Sequence, residues 1–327
     1  MTRTSQALDS GKRLLLEHAP WALRYLNAVR GKGLDVRVLP DRITISDPRT
    51  QRHIWLNRAN AVYVPDVVGS FEYYFSAVEP FEQTAVAGGG KVVDYASPRF
   101  HRVPGFDDFP VLFPSTAEPY QTCQQYLDFA QLREGHTVLD LGCYSGLTAI
   151  AFSKAVGPSG RVVSAEPDPG NHATSVQNLG MHRRVNGLDN VSLHAVAVAG
   201  NTGTLTFSSE GAMGSSAVSV VGGFRGRVVE IPCVTLEELA RRAGVERVDF
   251  IKMDIEGSEL EVVERSGAFL RAHRPRMIIE PHKVGGTLDA EAVMSALAGY
   301  GYRCEIIEQW GVSLPLVTAV PLPAKGL

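Results

Sequence analysis

The stretch TVLDLGCYSG, residues 137–146, decides the fold, because it joins an apolar strand to a helix-like segment through a turn with two glycines. Gly142 and Gly146 let the backbone turn tightly and approach a ligand without interference from a Cβ atom. Tyr144 stands two positions after the first glycine, so the turn departs from the G-x-G-x-x-G pattern of dinucleotide-binding folds. Asp140 at the strand end suits a ligand with a positive end and no pyrophosphate. The alternative is an ordinary tight turn.

Strand-like and helix-like segments alternate outward from this turn, from about residue 120 onward. The apolar segments RVVSAEP, VDFIKMDI and RMIIEPH are separated by helix-like segments. This alternation predicts an α/β fold with a doubly wound, mostly parallel sheet. Right-handed crossovers bring the carboxyl ends of its strands to one edge, and ligands bind there where the strand order reverses.

Composition and charge limit the classes of function. The chain has 327 residues, of which 44% are hydrophobic, and a formal net charge of −3 at pH 7. This charge disfavours a nucleic-acid partner, and no apolar run approaches the roughly 18 residues that span a bilayer. The first residues lack the apolar core of a signal peptide, and the four separated cysteines indicate reduced thiols. The sequence therefore predicts a cytoplasmic protein without a membrane partner.

A change of composition divides the chain near residue 115. Residues 88–120 are rich in glycine and proline, which is typical of a connecting segment. We therefore predict an α+β extension over residues 1–115, with an amphipathic helix at 12–30, and a second domain over residues 116–327. The extension is a candidate for substrate binding or for oligomerisation, for example as a homodimer.

The second strand of the predicted sheet ends in an acid, Glu166. An acid at this place can bind both hydroxyls of a ribose, although it can also stabilise the N-terminus of the next helix. With the preceding turn it predicts a ribonucleoside site with a cation-friendly end. S-adenosylmethionine has a ribose and an amino group beside a sulfonium. The predicted cofactor-binding residues are Asp140, Gly142, Tyr144, Gly146, Glu166 and Asp254.

Two further strand ends, KMDIEGSE and IIEPHK, carry four polar residues that we expect to meet beside the cofactor: Asp254, Glu256, Glu280 and His282. Transfer of a methyl group to a hydroxyl needs a positioned acceptor and benefits from a base. His282 is the predicted base because its ordinary pKa lies near neutral pH, with a structural histidine as the alternative. Asp254 and Glu280 are the other predicted catalytic residues. Asp254 can orient the acceptor, hold the cofactor's amino end, act as base or cap the next helix.

The same four residues can bind Mg²⁺ through oxygen atoms, but no compact metal-ligand loop is visible, so the sequence predicts no metal site. The long segment of small residues at 209–226 suits a lid that excludes water. Ser215 and Ser216 within it, together with Glu256, are the predicted substrate contacts. A surface loop without such a role is the alternative.

Several blocks between about Thr137 and His282 resemble the FkbM family of S-adenosylmethionine-dependent methyltransferases. They include VLDLGCYSGLTAIAFSK, NVSLHAVAVAGNTGTLTF and VDFIKMDIEGSELEVV. The resemblance implies a Rossmann-like class I methyltransferase fold with seven strands, and O-methylation of a sugar or another small metabolite such as a natural-product intermediate. Two alternatives stay open: an NAD(P)-dependent oxidoreductase, which Tyr144 disfavours, and a cofactor-binding domain without turnover.

Overall fold

The computed structural model describes residues 32–84, 86, 89–217, 227–284 and 287–323. The chain forms two compact units, Met1–Ser97 and Pro98–Leu327. The predicted helix at 12–30 and residues 218–226 of the predicted lid lie outside the described residues. The division comes earlier than the predicted boundary after residue 115.

The first unit contains a five-stranded sheet in the order β1-β2-β3-β5-β4. Its elements are β1 (Asp35–Val38), β2 (Ile43–Asp47), β3 (Arg52–Leu56), a 3₁₀ helix (Arg58–Tyr63), α1 (Val64–Gly69), α2 (Phe71–Ser76), β4 (Phe81–Glu82) and β5 (Lys91–Tyr95). Strand β2 alternates buried and half-buried residues, as the period of two in a half-buried strand requires. Phe71, Tyr74 and Phe75, which the sequence places at helical spacing, are buried on α2.

The second unit carries a seven-stranded sheet and the helices that cover it. Its strands are β6 (Arg99–Val103), β7 (Phe106–Phe113), β8 (Thr137–Leu141), β9 (Arg161–Ala165), β10 (Val191–His194), β11 (Ala197–Val198), β12 (Gly203–Ser209), β13 (Ser216–Ala217), β14 (Arg227–Val234), β15 (Phe250–Met253), β16 (Arg276–Ile279), β17 (Lys283–Val284), β18 (Thr287–Leu288), β19 (Tyr302–Glu308) and β20 (Pro315–Pro321). Its helices are α3 (Tyr120–Ala130), α4 (Leu147–Val156), α5 (Pro169–Asn186), α6 (Leu236–Ala243), α7 (Glu259–Arg265), α8 (Gly267–His273) and α9 (Ala290–Gly299).

The order of the large sheet is β10-β9-β8-β15-β16-β20-β19. The first five strands are parallel, and β20 runs antiparallel to both of its neighbours. The chain builds outward from β8 to β10 and then returns to place β15 on the other side of β8. The strand order therefore reverses between β8 and β15, and a ligand site is expected at their carboxyl ends.

Helices cover both faces of this sheet because successive strand residues point to opposite faces. Val138 and Phe250 pack with Phe152 of α4 on one face. Leu139 and Ile251 belong to the apolar cluster on the other face, which includes residues of α6 to α9. The predicted α/β fold is thus present, with a mixed sheet because β20 is antiparallel.

The hairpin of β6 and β7 belongs to the second unit, and this explains the earlier boundary. Asn178 on α5 is fully buried, and its side chain makes hydrogen bonds to the backbone of β7 like those of a neighbouring strand. Its Oδ1 accepts from the Leu112 backbone N–H at 2.9 Å, and its Nδ2 donates to the Leu112 carbonyl at 2.8 Å. Nδ2 also donates to the carbonyl of Ser145 in the turn after β8. A composition change cannot reveal such a side-chain bridge.

In the described part of the chain no helix has both the length and the hydropathy needed to cross a membrane. All four cysteines lie within the described residues and are unpaired. This agrees with the prediction of reduced thiols.

Candidate active site

The turn after β8 is held in left-handed backbone conformations at three positions. Gly142, Tyr144 and Gly146 have φ values of 78°, 49° and 80°. A Cβ atom at Gly142 would lie 1.8 Å from the backbone carbonyl oxygen of Asp254. Glycine is therefore required at position 142 because the backbone after β15 lies close to it. From the sequence, a ligand was predicted to lie there. Tyr144 tolerates its conformation because its hydroxyl donates to the Thr116 carbonyl at 2.7 Å, which anchors the ring.

Glu166 follows β9, as predicted, and is only 4% exposed. Its Oε2 accepts from the Tyr144 backbone N–H at 2.8 Å, and its Oε1 accepts from the Asp168 backbone N–H at 3.0 Å. Glu166 therefore ties the turn after β8 to the start of α5. Burial raises the pKa of Glu166 to about 8, although these two backbone hydrogen bonds lower it.

This raised pKa predicts a loss of stability as the pH increases. Glu166 binds its proton more tightly in the folded chain, at about 8 against 4.5, so the folded state holds more protons between these values. The free energy of unfolding then falls by up to about 1.4 kcal/mol per pH unit across that window. Glu166→Gln removes this titration. Urea unfolding without cofactor should therefore show the wild type losing stability relative to the variant as the pH rises from 4.5 to about 8. A difference that stays constant across the window would contradict the prediction.

Asp140 lies beneath the turn and is fully buried. Its Oδ2 accepts from the Thr148 hydroxyl at 2.7 Å, and its Oδ1 has no hydrogen-bond partner among the described residues. Burial raises the pKa of Asp140, while Lys252 and Thr148 lower it. The direct contact of Asp140 with a ligand stays a prediction, and in this conformation its carboxylate is buried. It supports the first turn of α4.

Lys252 stands beside Asp140 in the register of β8 and β15 and is buried. Its Nζ donates to the Gly142 carbonyl at 2.7 Å and to Asp254 Oδ2 at 3.2 Å. Lys252 and Asp254 thus form an ion pair. Burial lowers the pKa of Lys252, but Asp254 and Asp140 raise it by more, so the ammonium stays charged and braces the turn.

The structure brings together the four polar residues at the ends of β15 and β16, which we call the strand-end cluster: Asp254, Glu256, Glu280 and His282. His282 Nε2 lies 3.7 Å from Asp254 Oδ1, 3.5 Å from Glu256 Oε1 and 3.8 Å from Glu280 Oε1. His282 Nδ1 lies 3.0 Å from Oε1 of Glu259, which is buried. The predicted convergence of these residues is therefore confirmed.

The predicted role of His282 as a base does not fit this environment. Burial lowers the pKa of His282, but Glu256, Glu259 and Asp254 raise it by more, and the pKa lies well above its ordinary value. A raised pKa reduces the share of neutral imidazole, the only form that can take a proton from an acceptor, so His282 as the base stays a prediction that this environment disfavours. The sequence predicts three carboxylates near this histidine, and the fold adds a fourth, Glu259.

Glu280 and Glu256 are held in the cluster by neighbouring chain segments. Glu280 Oε2 accepts from Gln309 Nε2 at 3.0 Å, and burial together with Asp254 raises the pKa of Glu280 well above its ordinary value. Glu256 has a φ of 57°, in the left-handed region that non-glycine residues rarely adopt. Glu259 braces this turn, because its Oε1 accepts from the Ile255 backbone N–H at 3.0 Å.

Two acidic residues of the site were not predicted from the sequence. Glu118 precedes α3, and burial and Asp254 raise its pKa to about 7. Asp168 is fully buried and caps α5, because its Oδ1 accepts from the Gly170 and Asn171 N–H groups. The Asp-Pro pair that opens α5 is a typical helix start and could have revealed this cap.

Asp168 also holds the beginning of the predicted lid. Its Oδ2 accepts from the Ser209 hydroxyl at 2.8 Å, the Gly211 N–H at 3.1 Å and the Ser215 hydroxyl at 2.8 Å. Ser215 is therefore engaged with the protein, and the predicted substrate contact is not what the structure shows. Ser216 lies on β13 and is buried, so it is equally inaccessible to a substrate in this conformation.

The charge of this sheet edge suits a cationic cofactor. Asp254 raises the pKa values of Glu118 and Glu280, and the same three groups raise the pKa of Lys252, so all four side chains lie close together. The acidic groups at this edge outnumber the two basic groups, Lys252 and His282, which fits a sulfonium and an amino group. Glu166 at the neighbouring strand end stands where a ribose would be bound. The donor set therefore fits S-adenosylmethionine.

Comparison with known proteins gives one family match. The model of the methyltransferase FkbM domain matches residues 140–304. No curated protein matches the chain. Among solved structures, an FkbM methyltransferase from Methylobacillus flagellatus is 19% identical, with a TM-score of 0.45 over 62% of this chain and 48% of that chain. This chain thus spans about half the length of that protein. An S-adenosylmethionine-dependent O-methyltransferase from Thermotoga maritima is 13% identical, with a TM-score of 0.38 over 64% of this chain and 68% of that chain.

Proposed function

The chain belongs to the FkbM methyltransferase family, and on that premise we propose that it methylates a hydroxyl oxygen of a small polar acceptor, such as a sugar or a natural-product intermediate. S-adenosylmethionine is the methyl donor. The observation that carries the proposal is the meeting of three features at one sheet edge: the turn of Gly142–Gly146, Glu166 and the strand-end cluster. The predicted homodimer and the cytoplasmic location stay predictions.

Glu166 is the residue that we assign to the ribose. Both of its oxygens accept backbone hydrogen bonds, but each carboxylate oxygen has two lone-pair sites. Glu166 can therefore accept a ribose hydroxyl while it keeps the turn in place. This double role means that Glu166→Ala would weaken both cofactor binding and the fold, since buried backbone N–H groups would lose their acceptors.

Bound S-adenosylmethionine supplies an electrophilic methyl group on a sulfonium. The acceptor oxygen forms the new C–O bond as the C–S bond breaks, and the acceptor must release its proton. Asp254 is the residue that we assign to this proton and to the orientation of the acceptor, because it directly follows β15 at the reversal of strand order. The carboxylates around it disfavour a phosphorylated or carboxylated acceptor, so a neutral polyhydroxyl compound fits best.

Asp254→Asn is expected to slow methyl transfer by about 10² to 10⁴, because an amide keeps the shape of the carboxylate but cannot take a proton. The measurement is transfer of isotope-labelled methyl from S-adenosylmethionine to a panel of neutral sugars and polyols. Asp189→Asn is the matched control, since that carboxylate is exposed and pairs only at the surface with Arg183. Equal rates in the two variants would contradict the role of Asp254, and no transfer by the wild type to any neutral acceptor would contradict the proposed acceptor class.

A further inference from the structure

We propose that Asp254, Glu280 and His282 bind a divalent metal ion of the first transition row, with Glu256 as a fourth ligand. Within the described residues, the ligand atoms of Asp254, Glu280 and His282 all lie within 4.8 Å of one another. Imidazole and carboxylate ligands together suit ions such as Mn²⁺ and Zn²⁺. The sequence predicted no metal here because the ligands come from two separate strand ends.

The separations inside the strand-end cluster fit a shared cation better than they fit direct hydrogen bonds. His282 Nε2 stands 3.5 to 3.8 Å from one oxygen of each of the three carboxylates, whereas N–H···O bonds are about 2.7–3.2 Å long. Ligand atoms placed about 2.1 Å from a metal ion at tetrahedral corners stand about 3.4 Å apart. The distances from His282 Nε2 to the three carboxylates are therefore close to those between neighbouring ligands of a metal ion.

The imidazole is oriented as in known metal sites. Glu259 Oε1 accepts from His282 Nδ1, and the same carboxylate is fixed by the N–H groups of Ile255 and Gly257. A carboxylate that holds one ring nitrogen selects the tautomer and directs the other nitrogen to the metal. Nε2 is left as the ring nitrogen that faces the three carboxylates.

Gln309 provides a second, independent indication. Its side chain is about 5% exposed, and its Nε2 donates to Glu280 Oε2, which holds the amide group against the cluster. Its Oε1 has no hydrogen-bond partner in the part of the chain that the structure describes. A buried acceptor without a partner is costly, and the amide oxygen of a side chain that is bound to a potential ligand, Glu280, suits a cation or the protons of metal-bound water.

A metal at this place would change how the acceptor loses its proton, a point that rests on the proposed function. A cation that took further ligands beside these four side chains, as a six-coordinate Mn²⁺ ion does, would bind the acceptor hydroxyl and lower its pKa, so that the proton would leave more readily toward a carboxylate or solvent. An acceptor with two neighbouring oxygens fits such an ion, because both can occupy open positions. The competing explanation is a protonated His282 that balances the carboxylates without any metal.

The test is titration of the purified full chain with Mn²⁺ after its metals have been removed with a chelator. Binding is measured as the loss of the electron paramagnetic resonance signal of free Mn²⁺. We expect one site per chain and, in Glu280→Gln, an affinity lower by at least about 100-fold, because the amide is a weaker ligand of the same shape. Gln309→Leu should weaken binding by about 10- to 100-fold, as for other residues that contact metal ligands. Glu238→Gln on α6, whose carboxylate pairs with Arg241 and Arg242 at the surface, is the control and should bind like the wild type.

Binding by the wild type that is no tighter than binding by Glu280→Gln would overturn the metal site. The same chelator-stripped protein is also titrated with S-adenosylhomocysteine, which separates the two proposals. Cofactor binding without Mn²⁺ binding would contradict the metal site alone. Mn²⁺ binding without cofactor binding would contradict the proposed function and leave the metal site in place.

Discussion

Gly142→Ala is expected to abolish cofactor binding and to lower the free energy of unfolding by roughly 2–5 kcal/mol, the sum of overpacking and left-handed backbone strain. The added Cβ would lie 1.8 Å from the Asp254 carbonyl oxygen, which belongs to the backbone and cannot rotate away. The ends of β8 and β15 would have to separate. Because Lys252 donates to the Gly142 carbonyl and to Asp254, the separation would also break the brace beneath the site.

Gly187→Ala is the matched control for this substitution. Gly187 ends α5 with a φ of 68°, close to the 78° of Gly142, but no described atom lies within 4 Å of its ideal Cβ position. The free energy of unfolding of Gly187→Ala should therefore fall only by the strain of the left-handed conformation, about 1–2 kcal/mol. Urea unfolding and titration with S-adenosylhomocysteine measure both effects. Equal losses of stability in the two variants, with cofactor binding intact, would show that the contact with Asp254 does not matter.

Asp168→Ala is expected to lower the free energy of unfolding by about 3 kcal/mol or more, because it removes a helix cap and leaves buried donors without an acceptor. Asp168 accepts five hydrogen bonds, two from α5 and three from the segment of residues 209–215. Cofactor affinity should fall as well, since Glu166 holds the backbone N–H of the same residue.

Ser215→Ala serves as the control for Asp168, because it removes one of the five donors and leaves the carboxylate in place. Hydrogen exchange should accelerate at the Gly211 amide and in the first turn of α5 in Asp168→Ala, but only near residue 215 in the serine variant. If both variants lose the same stability and show the same exchange, Asp168 does not link the helix to the loop.

The sequence allowed the convergence of the site to be predicted, because parallel strands bring their carboxyl ends to one edge. Asp254, Glu280 and His282 meet there at 3.7 and 3.8 Å, as that rule requires. The turn with two glycines and the acid after β9 also lie where the strand–helix alternation puts them.

The sequence did not reveal the contacts made across the fold. The side chain of Asn178 binds β7 to the second unit, and Glu259 adds a carboxylate beside His282 that raises the pKa of the imidazole. From the sequence, Gly142 was explained by the approach of a ligand, whereas the backbone of Asp254 leaves no room for a Cβ atom there. Each of these effects depends on residues far apart in the chain, which spacing and periodicity cannot place in contact.

Calorimetric titration of the wild-type chain with S-adenosylhomocysteine and, separately, with NAD tests the central claim most directly. The claim is that the turn of Gly142–Gly146 and Glu166 form the site of S-adenosylmethionine. It predicts that S-adenosylhomocysteine binds with one site per chain, that NAD binds poorly, and that Gly142→Ala removes the binding while Gly187→Ala retains it. Preferential binding of NAD, or binding of S-adenosylhomocysteine that Gly142→Ala leaves unchanged, would contradict it.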